Sequence, residues 1–135
     1  MDFYSILLAK SSGESGGDPA ESFKLCISGN LTTITEEMLD GITTLHEYIF
    51  YNNRYLRSIE IPNSVTSIGT NAFNGCSNLT SVTVRRTTPP TLGNKFAFSN
   101  GSSSLVIYVP SESVNRYKSV ANWSNFASKI QAIPS

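Results

Sequence analysis

The stretch that decides the fold is residues 61–82, which read IPNSVTSIGTNAFNGCSNLTSV. Within it, residues 65–73 (VTSIGTNAF) align with residues 42–50 (ITTLHEYIF) at a constant offset of 23 positions. The later apolar positions of the two units match at the same offset, in the pairs Leu56 and Leu79, Ile59 and Val82, and Ile61 and Val84. Self-similarity at a fixed period of roughly 20 to 50 residues is typical of repeat architectures. The sequence therefore predicts a repeat protein.

Looser copies of the unit lie on both sides of this pair. Downstream, Leu92-Gly93 repeats the pattern of Ile68-Gly69, and residues 105–110 (LVIYVP) repeat the strand and its proline. Upstream, residues 31–34 (LTTI) resemble the start of a unit. The offset varies by one to three residues in these outer copies, as expected of terminal repeats. We expect about three rungs.

Each unit has the pattern of one turn of a solenoid. Ile59 and Ile61 alternate with Glu60, which predicts a short strand with its apolar side chains facing inward. Ala72 and Phe73 then supply apolar side chains from the returning segment. One unit cannot bury this face alone, but stacked neighbours bury it continuously. Gly69 is expected at a positive φ, in a turn.

Residues 61–82 resemble the BspA-like leucine-rich repeat, also called the Treponema pallidum type. The features that match are Ile61-Pro62, Val65, Ile68-Gly69, Ala72-Phe73, Cys76 and Leu79. The resemblance is good over residues 42–84 and extends more weakly to about residue 110, and residues 107–123 resemble the closing segment of such proteins in gut bacteria. Known relatives are mostly exported surface proteins with many repeats, some implicated in adhesion. This chain has fewer repeats.

The predicted fold is α+β: a short leucine-rich-repeat solenoid with an N-terminal helix and a C-terminal helical cap. Its parts are a helix at 1–10, a Gly/Ser-rich linker at 11–19, the solenoid at 20–110 and the cap at 111–135. In the cap, Ser111 is expected to N-cap a helix, because Val114 and Tyr117 follow at helical spacing. Trp123 is expected in the core. The cap is needed because the last rung would otherwise expose apolar surface.

The N-terminal helix carries candidate attachment residues. An isolated helix of ten residues is marginal in water, so this segment is expected to dock on its own domain or on another chain. The apolar side chains available for docking are Phe3, Tyr4, Ile6, Leu7 and Leu8. The segment is too short for a signal sequence or a membrane span, so neither export by its own signal nor membrane insertion is expected.

Composition and motifs argue against several classes of function. Ten basic and ten acidic residues cancel, which disfavours nucleic acid as a partner. Two cysteines, Cys26 and Cys76, cannot form a disulfide framework or a four-ligand zinc site, and both are expected to be buried thiols. His46 is the only histidine, and Glu36, Glu37 and Asp40 show no paired-carboxylate pattern. We therefore expect no enzyme activity, no cofactor and no metal site.

The outward face of the strands is the expected binding surface. Side chains at alternate strand positions should align from rung to rung. The candidate ligand-binding residues are Tyr51, Arg54, Ser58, Glu60, Thr83 and Tyr108. Tyr and Arg are favoured where binding energy concentrates. The alternative is that this face is simply solvated.

Two non-catalytic functions fit this layout. A short helix, a flexible linker and a small repeat head together resemble small accessory proteins of bacteriophage particles, in which an N-terminal peptide anchors a displayed head. The chain would then be a structural or recognition protein of a virion, binding other virion proteins or itself through residues 1–10. The alternative is a bacterial cell-surface adhesion module for a host protein or glycan. A carbohydrate-active enzyme is a third hypothesis, disfavoured because no acid–base or nucleophile pattern is visible.

Overall fold

The computed structural model describes residues 32–134. Eight short strands cover most of the regular structure: β1 (Thr33–Ile34), β2 (Thr44–Leu45), β3 (Ser58–Ile61), β4 (Ser67–Ile68), β5 (Ser81–Val84), β6 (Thr91–Leu92), β7 (Val106–Val109) and β8 (Ile130–Ala132). One α-helix, α1 (Val114–Ser119), and three 3-10 helices (Glu36–Leu39, Ser111–Ser113 and Trp123–Lys129) complete it. The predictions made for residues 1–31, including the helix, the linker, the attachment residues and Cys26, lie outside the described residues.

The strands form two parallel sheets that run along the solenoid. The long sheet has the order β1-β3-β5-β7-β8, and the short sheet has the order β2-β4-β6. In the long sheet, Ile59 of β3 lies beside Val82 of β5, and Val82 lies beside Ile107 of β7. Between β3 and β5 the register equals the 23-residue offset seen in the sequence, and the predicted repeat is confirmed. Parallel strands need a long crossover, which each rung supplies with the remainder of its length.

A third side closes each rung. It consists of residues 46–57, 69–80 and 93–105, and we call it the turn face. Its segments are bonded from rung to rung, because Phe50 N–H donates to Ala72 O at 2.8 Å and Phe73 N–H donates to Ala97 O at 2.8 Å. These bonds satisfy backbone groups that the closely packed rungs shield from water. Three described rungs have all three sides, as the sequence predicts.

Gly69 is required for close stacking and does not have the positive φ predicted for it. A β-carbon at Gly69 would lie 2.4 Å from the backbone nitrogen of Glu47, and one at Gly93 would lie 2.4 Å from that of Thr70. Both glycines follow a strand of the short sheet, where neighbouring rungs come closest. The left-handed positions of the turn face are Gly75 and four non-glycine residues, Tyr48, Asn52, Asn71 and Asn100.

A column of aromatic rings fills the core on the inner side of the turn face. Phe50 and Phe73 stack with centroids 5.4 Å apart, and Phe73 and Phe98 stack at 5.1 Å. Phe98 then contacts Trp123 at 5.9 Å and Phe126 at 5.3 Å. All five side chains are buried. One column therefore ties the three rungs to the C-terminal segment.

The C-terminal segment caps the solenoid, but it is not purely helical as predicted. After α1 and the last 3-10 helix, the chain returns as β8 and pairs in parallel with β7. Ser111 does not cap a helix through its side chain; it begins a 3-10 helix whose N-cap residue is Pro110. Trp123 is fully buried, as predicted, and its indole Nε1–H donates to Pro90 O at 2.7 Å. Within residues 32–134, no helix is long and apolar enough to span a membrane.

Candidate functional site

Four of the predicted binding residues lie together on the outward face of the long sheet. Ser58 stands beside Ser81, and Glu60 stands beside Thr83. Thr83 in turn stands beside Tyr108 on β7. All of these side chains are half-buried, since neighbours on adjacent strands shield one another. Ser58, Glu60, Thr83 and Tyr108 therefore form the row that alternation in the sequence predicted.

The carboxylate of Glu60 already has partners within the chain. It accepts a hydrogen bond from the backbone N–H of Glu36 at 3.0 Å and lies 3.8 Å from an Arg85 nitrogen. Arg85 also lies 3.6 Å from the Glu36 carboxylate. The groups are partly exposed, so each pair contributes about 0–1 kcal/mol. Glu60 thus joins the first 3-10 helix to the long sheet, and a ligand would have to compete with these contacts.

The other two predicted residues, Tyr51 and Arg54, do not lie on that face. Both lie on the turn face, because residues 46–57 form the side of the rung between β2 and β3. Neither residue is in a strand, so strand alternation does not apply to them. The predicted site is therefore divided between two sides of the solenoid.

The turn face carries an exposed aromatic cluster. Among residues 32–134, the large apolar side chains that remain exposed are Tyr48 (47%), Tyr51 (46%), Tyr55 (42%) and Phe96 (48%). All four belong to the turn face, and the three tyrosines share its first segment. Tyr48 and Tyr51 meet edge to face with centroids 5.3 Å apart. Tyr48 and Tyr51 are thus contiguous, and contiguous exposed apolar groups mark interaction sites more often than isolated ones do.

The second rung has asparagine where the first has tyrosine. At the 23-residue offset, Tyr48, Tyr51 and Tyr55 correspond to Asn71, Asn74 and Asn78. The asparagines bind neighbouring rungs. Asn74 Nδ2 donates to Phe96 O at 3.2 Å, and Asn78 Nδ2 donates to Arg54 O at 2.7 Å. The Asn71 backbone N–H donates to Asn94 Oδ1 at 3.2 Å, and Asn94 Nδ2 donates to Asn71 Oδ1 at 3.3 Å. Asparagine at these positions thus stabilises the stack.

Tyr48 occupies an unfavourable backbone conformation. Its φ is 60°, in the left-handed region, and its counterpart Asn71 has a φ of 54°. This region suits glycine and asparagine, and for other residues it costs roughly 1–2 kcal/mol. The Tyr48 ring does not recover this cost by burial, because about half of it is exposed. A bulky side chain held in strain at the surface motivates a functional explanation.

The comparisons with known proteins identify the repeat. The family model described as the BspA-type leucine-rich repeat region matches residues 19–131, in six copies. The chain belongs to the BspA-type leucine-rich repeat family. No curated protein matches it. The family assignment confirms the resemblance of residues 61–82. Leucine-rich repeat domains commonly mediate protein binding and are generally non-catalytic, so the chain has a repeat head of the kind used for binding.

Three acidic residues of this BspA-type chain lie together at its first rung. Glu36 and Glu37 lie on the first 3-10 helix, and with Asp40 they line an open depression of about 360 Å³. In the described part of the chain, no group of three or more His, Cys, Asp or Glu side chains is placed to hold a metal ion. His46 is exposed beside the short sheet, at the position that corresponds to Gly69.

Cys76 serves the packing of the repeat. Its side chain is buried, and its Sγ donates to Phe50 O in the preceding rung at 3.1 Å. Burial raises the pKa of the Cys76 thiol from 9.0 to about 12. A hydrogen bond from the backbone of Asn53 lowers this pKa, but its effect is smaller than that of burial. Burial disfavours the charged thiolate because it removes water from around the sulfur. The prediction of a buried thiol is confirmed for Cys76.

We expect Cys76 to resist thiol reagents in the folded chain. The thiolate is the reactive form, and below pH 12 the folded protein keeps this sulfur protonated and shielded. The measurement is the rate of reaction with a chromogenic disulfide reagent at pH 8 and pH 9, in a Cys26→Ser background so that only one thiol reports. Reaction should appear only where denaturant unfolds the chain. Rapid reaction in native buffer would contradict the buried position.

Proposed function

We propose that the chain is a non-catalytic structural and recognition protein that presents its repeat head on a larger assembly, such as a bacteriophage particle. In this proposal the N-terminal segment anchors the head, and the exposed sides of the solenoid meet the partner. The observation that carries the proposal is the fixed register of exposed side chains. Glu60, Thr83 and Tyr108 stand side by side on consecutive strands of the long sheet, with a continuous buried core behind them.

A rigid stack supports recognition for a physical reason. Side chains that are already positioned lose less conformational freedom on binding, so more of the contact energy appears as affinity. Each strand of the long sheet is held by backbone bonds on both edges, except at the two ends of the described sheet. The exposed residues therefore sit on a surface whose spacing does not change between free and bound states.

Adhesion at a bacterial cell surface is the second candidate function. The exposed tyrosines of the turn face favour it, because aromatic side chains of this kind anchor protein and glycan partners. This function requires no attachment through residues 1–10, so an experiment on that segment distinguishes the two proposals.

The test is the mass in solution, by light scattering, of the full chain and of a chain that starts at Pro19. The shorter chain keeps every residue that the family model matches. Anchoring predicts that the full chain forms assemblies and that the shorter chain is a folded monomer. A full-length variant with Ile6→Asp and Leu7→Asp should also be monomeric if the apolar side chains drive attachment. Two stable monomers would overturn anchoring by self-association. Adhesion would then be the better hypothesis.

A further inference from the structure

We propose that the turn face binds an uncharged polysaccharide chain through the strip formed by Tyr48, Tyr51 and Tyr55 and by Asn71, Asn74 and Asn78. This inference rests on the proposed recognition function, and it names the surface and the chemistry of the ligand. The strip is defined by two adjacent rungs. One rung has three half-exposed phenol rings, and the next has asparagine at the same three positions, where Asn71 and Asn74 already bond within the stack.

The two rows provide the two kinds of contact that a sugar ring needs. The faces of a pyranose ring present C–H groups that pack on aromatic rings, and its edges present hydroxyls that need donors and acceptors. Within residues 32–134, the hydroxyls of the three tyrosines make no hydrogen bond. Asn78 uses one amide hydrogen toward Arg54 O, and among the described residues its side-chain oxygen accepts none. The strip therefore has hydrogen-bonding groups that are free to bind the hydroxyls of a sugar.

The two rungs of the strip carry little net charge. Residues 69–80, which carry the asparagines, include no charged residue. Residues 46–57, which carry the tyrosines, contain Glu47, Arg54 and Arg57 and have one net positive charge. One net positive charge beside an uncharged row is not the basic cluster on which binding of a phosphate, a sulfated glycan or a nucleic acid depends.

The width of the strip favours a single polysaccharide chain over a protein. Parallel strands lie about 4.8 Å apart, so two rungs measure about 10 Å across. A stable protein partner buries about 800 Å² on each side, which needs a broader apolar area than one row of three tyrosines. An extended chain of sugars needs only a narrow strip along which successive rings can lie.

Tyr48 supplies an independent reason to assign this strip to binding. The next rung shows that asparagine fits the same left-handed position and bonds to its neighbours there. Tyrosine is present despite the strained backbone, and about half of its surface stays exposed. A residue that is worse for the fold than its own repeat counterpart is expected at a functional site.

The experiment compares full-length variants by affinity electrophoresis in gels that contain soluble starch, mannan, xylan or dextran, with heparin as an anionic polymer. We expect the wild-type chain to be retarded by at least one neutral polymer and not by heparin. The variant Tyr48→Asn, Tyr51→Asn, Tyr55→Asn installs the residues of the second rung. It should bind at least about tenfold more weakly and unfold at a denaturant concentration no lower than the wild type.

Thr91→Ala is the control, because it removes an exposed side chain from the short sheet and leaves both the strip and the outward face of the long sheet intact. It should bind as the wild type does. The inference is overturned if no neutral polymer retards the chain, if retardation is lost in Thr91→Ala and kept in the triple variant, or if the triple variant unfolds more easily. A protein that binds the triple variant and the wild type equally would also overturn it. None of these outcomes changes the light-scattering result, so the anchoring proposal is tested independently of this inference.

Discussion

Replacing Phe73 with alanine will lower the free energy of unfolding by about 3–5 kcal/mol, the range for deleting a buried phenylalanine side chain. Phe73 is 1% exposed and lies in the middle of the aromatic column, stacked between Phe50 and Phe98. Its loss leaves a cavity that neighbouring rungs cannot close, because rung-to-rung backbone bonds fix their separation. The measurement is equilibrium unfolding in urea, followed by circular dichroism.

Phe96→Ala is the control for this substitution. Phe96 lies two residues from Phe98 on the same turn face, but half of its side chain is exposed. Surface substitutions of this kind change stability by about 0.5 kcal/mol or less. Equal effects of Phe73→Ala and Phe96→Ala would mean that the inward and outward positions of the repeat are wrongly assigned.

Replacing Trp123 with alanine will destabilise the chain by about 3–5 kcal/mol as well. Trp123 is fully buried in the cap, where its ring meets Phe98 and Tyr117. The substitution also leaves Pro90 O without the indole donor that lies 2.7 Å away. Since the cap covers the last rung, we expect exposure of apolar surface, detectable by binding of a hydrophobic dye below the unfolding transition.

Trp123→Phe separates packing from hydrogen bonding. It keeps an aromatic ring but removes the Nε1–H donor, so the free energy of unfolding should fall by less, about 1–3 kcal/mol. A Trp123→Ala variant as stable as the wild type, with no dye binding, would show that the cap does not cover the core.

The long sheet was largely predictable because its signal is local and periodic. Alternation at Ile59 and Ile61 and the 23-residue offset together define which side chains face inward and which strands are neighbours. The return of the chain as β8 was missed because the whole of residues 111–135 was predicted to be a helical cap. The signal was nonetheless present: Ile130 follows Ile107 by the same 23 residues.

The roles of Gly69 and of the tyrosines were harder to predict, because each depends on the neighbouring rung. A glycine in a turn usually indicates positive φ, but Gly69 is required by the backbone of Glu47, 22 residues earlier in the chain and one rung away in the stack. Tyr51 was predicted as a binding residue without a place in the rung, because the sequence does not show where each strand ends and the turn face begins. The aligned replacement of three tyrosines by three asparagines was visible, and it is the feature that could have located the turn-face strip.

The most direct test of the stacked architecture is nuclear magnetic resonance of the full chain with methyl-labelled isoleucine and valine. The structure predicts through-space contacts in one order: Ile34 to Ile59, Ile59 to Val82, Val82 to Ile107, and Ile107 to Ile130. Contacts in that sequence would establish the rung register on which both binding surfaces depend. A contact between Ile130 and Ile59, or none between Ile107 and Ile130, would contradict it.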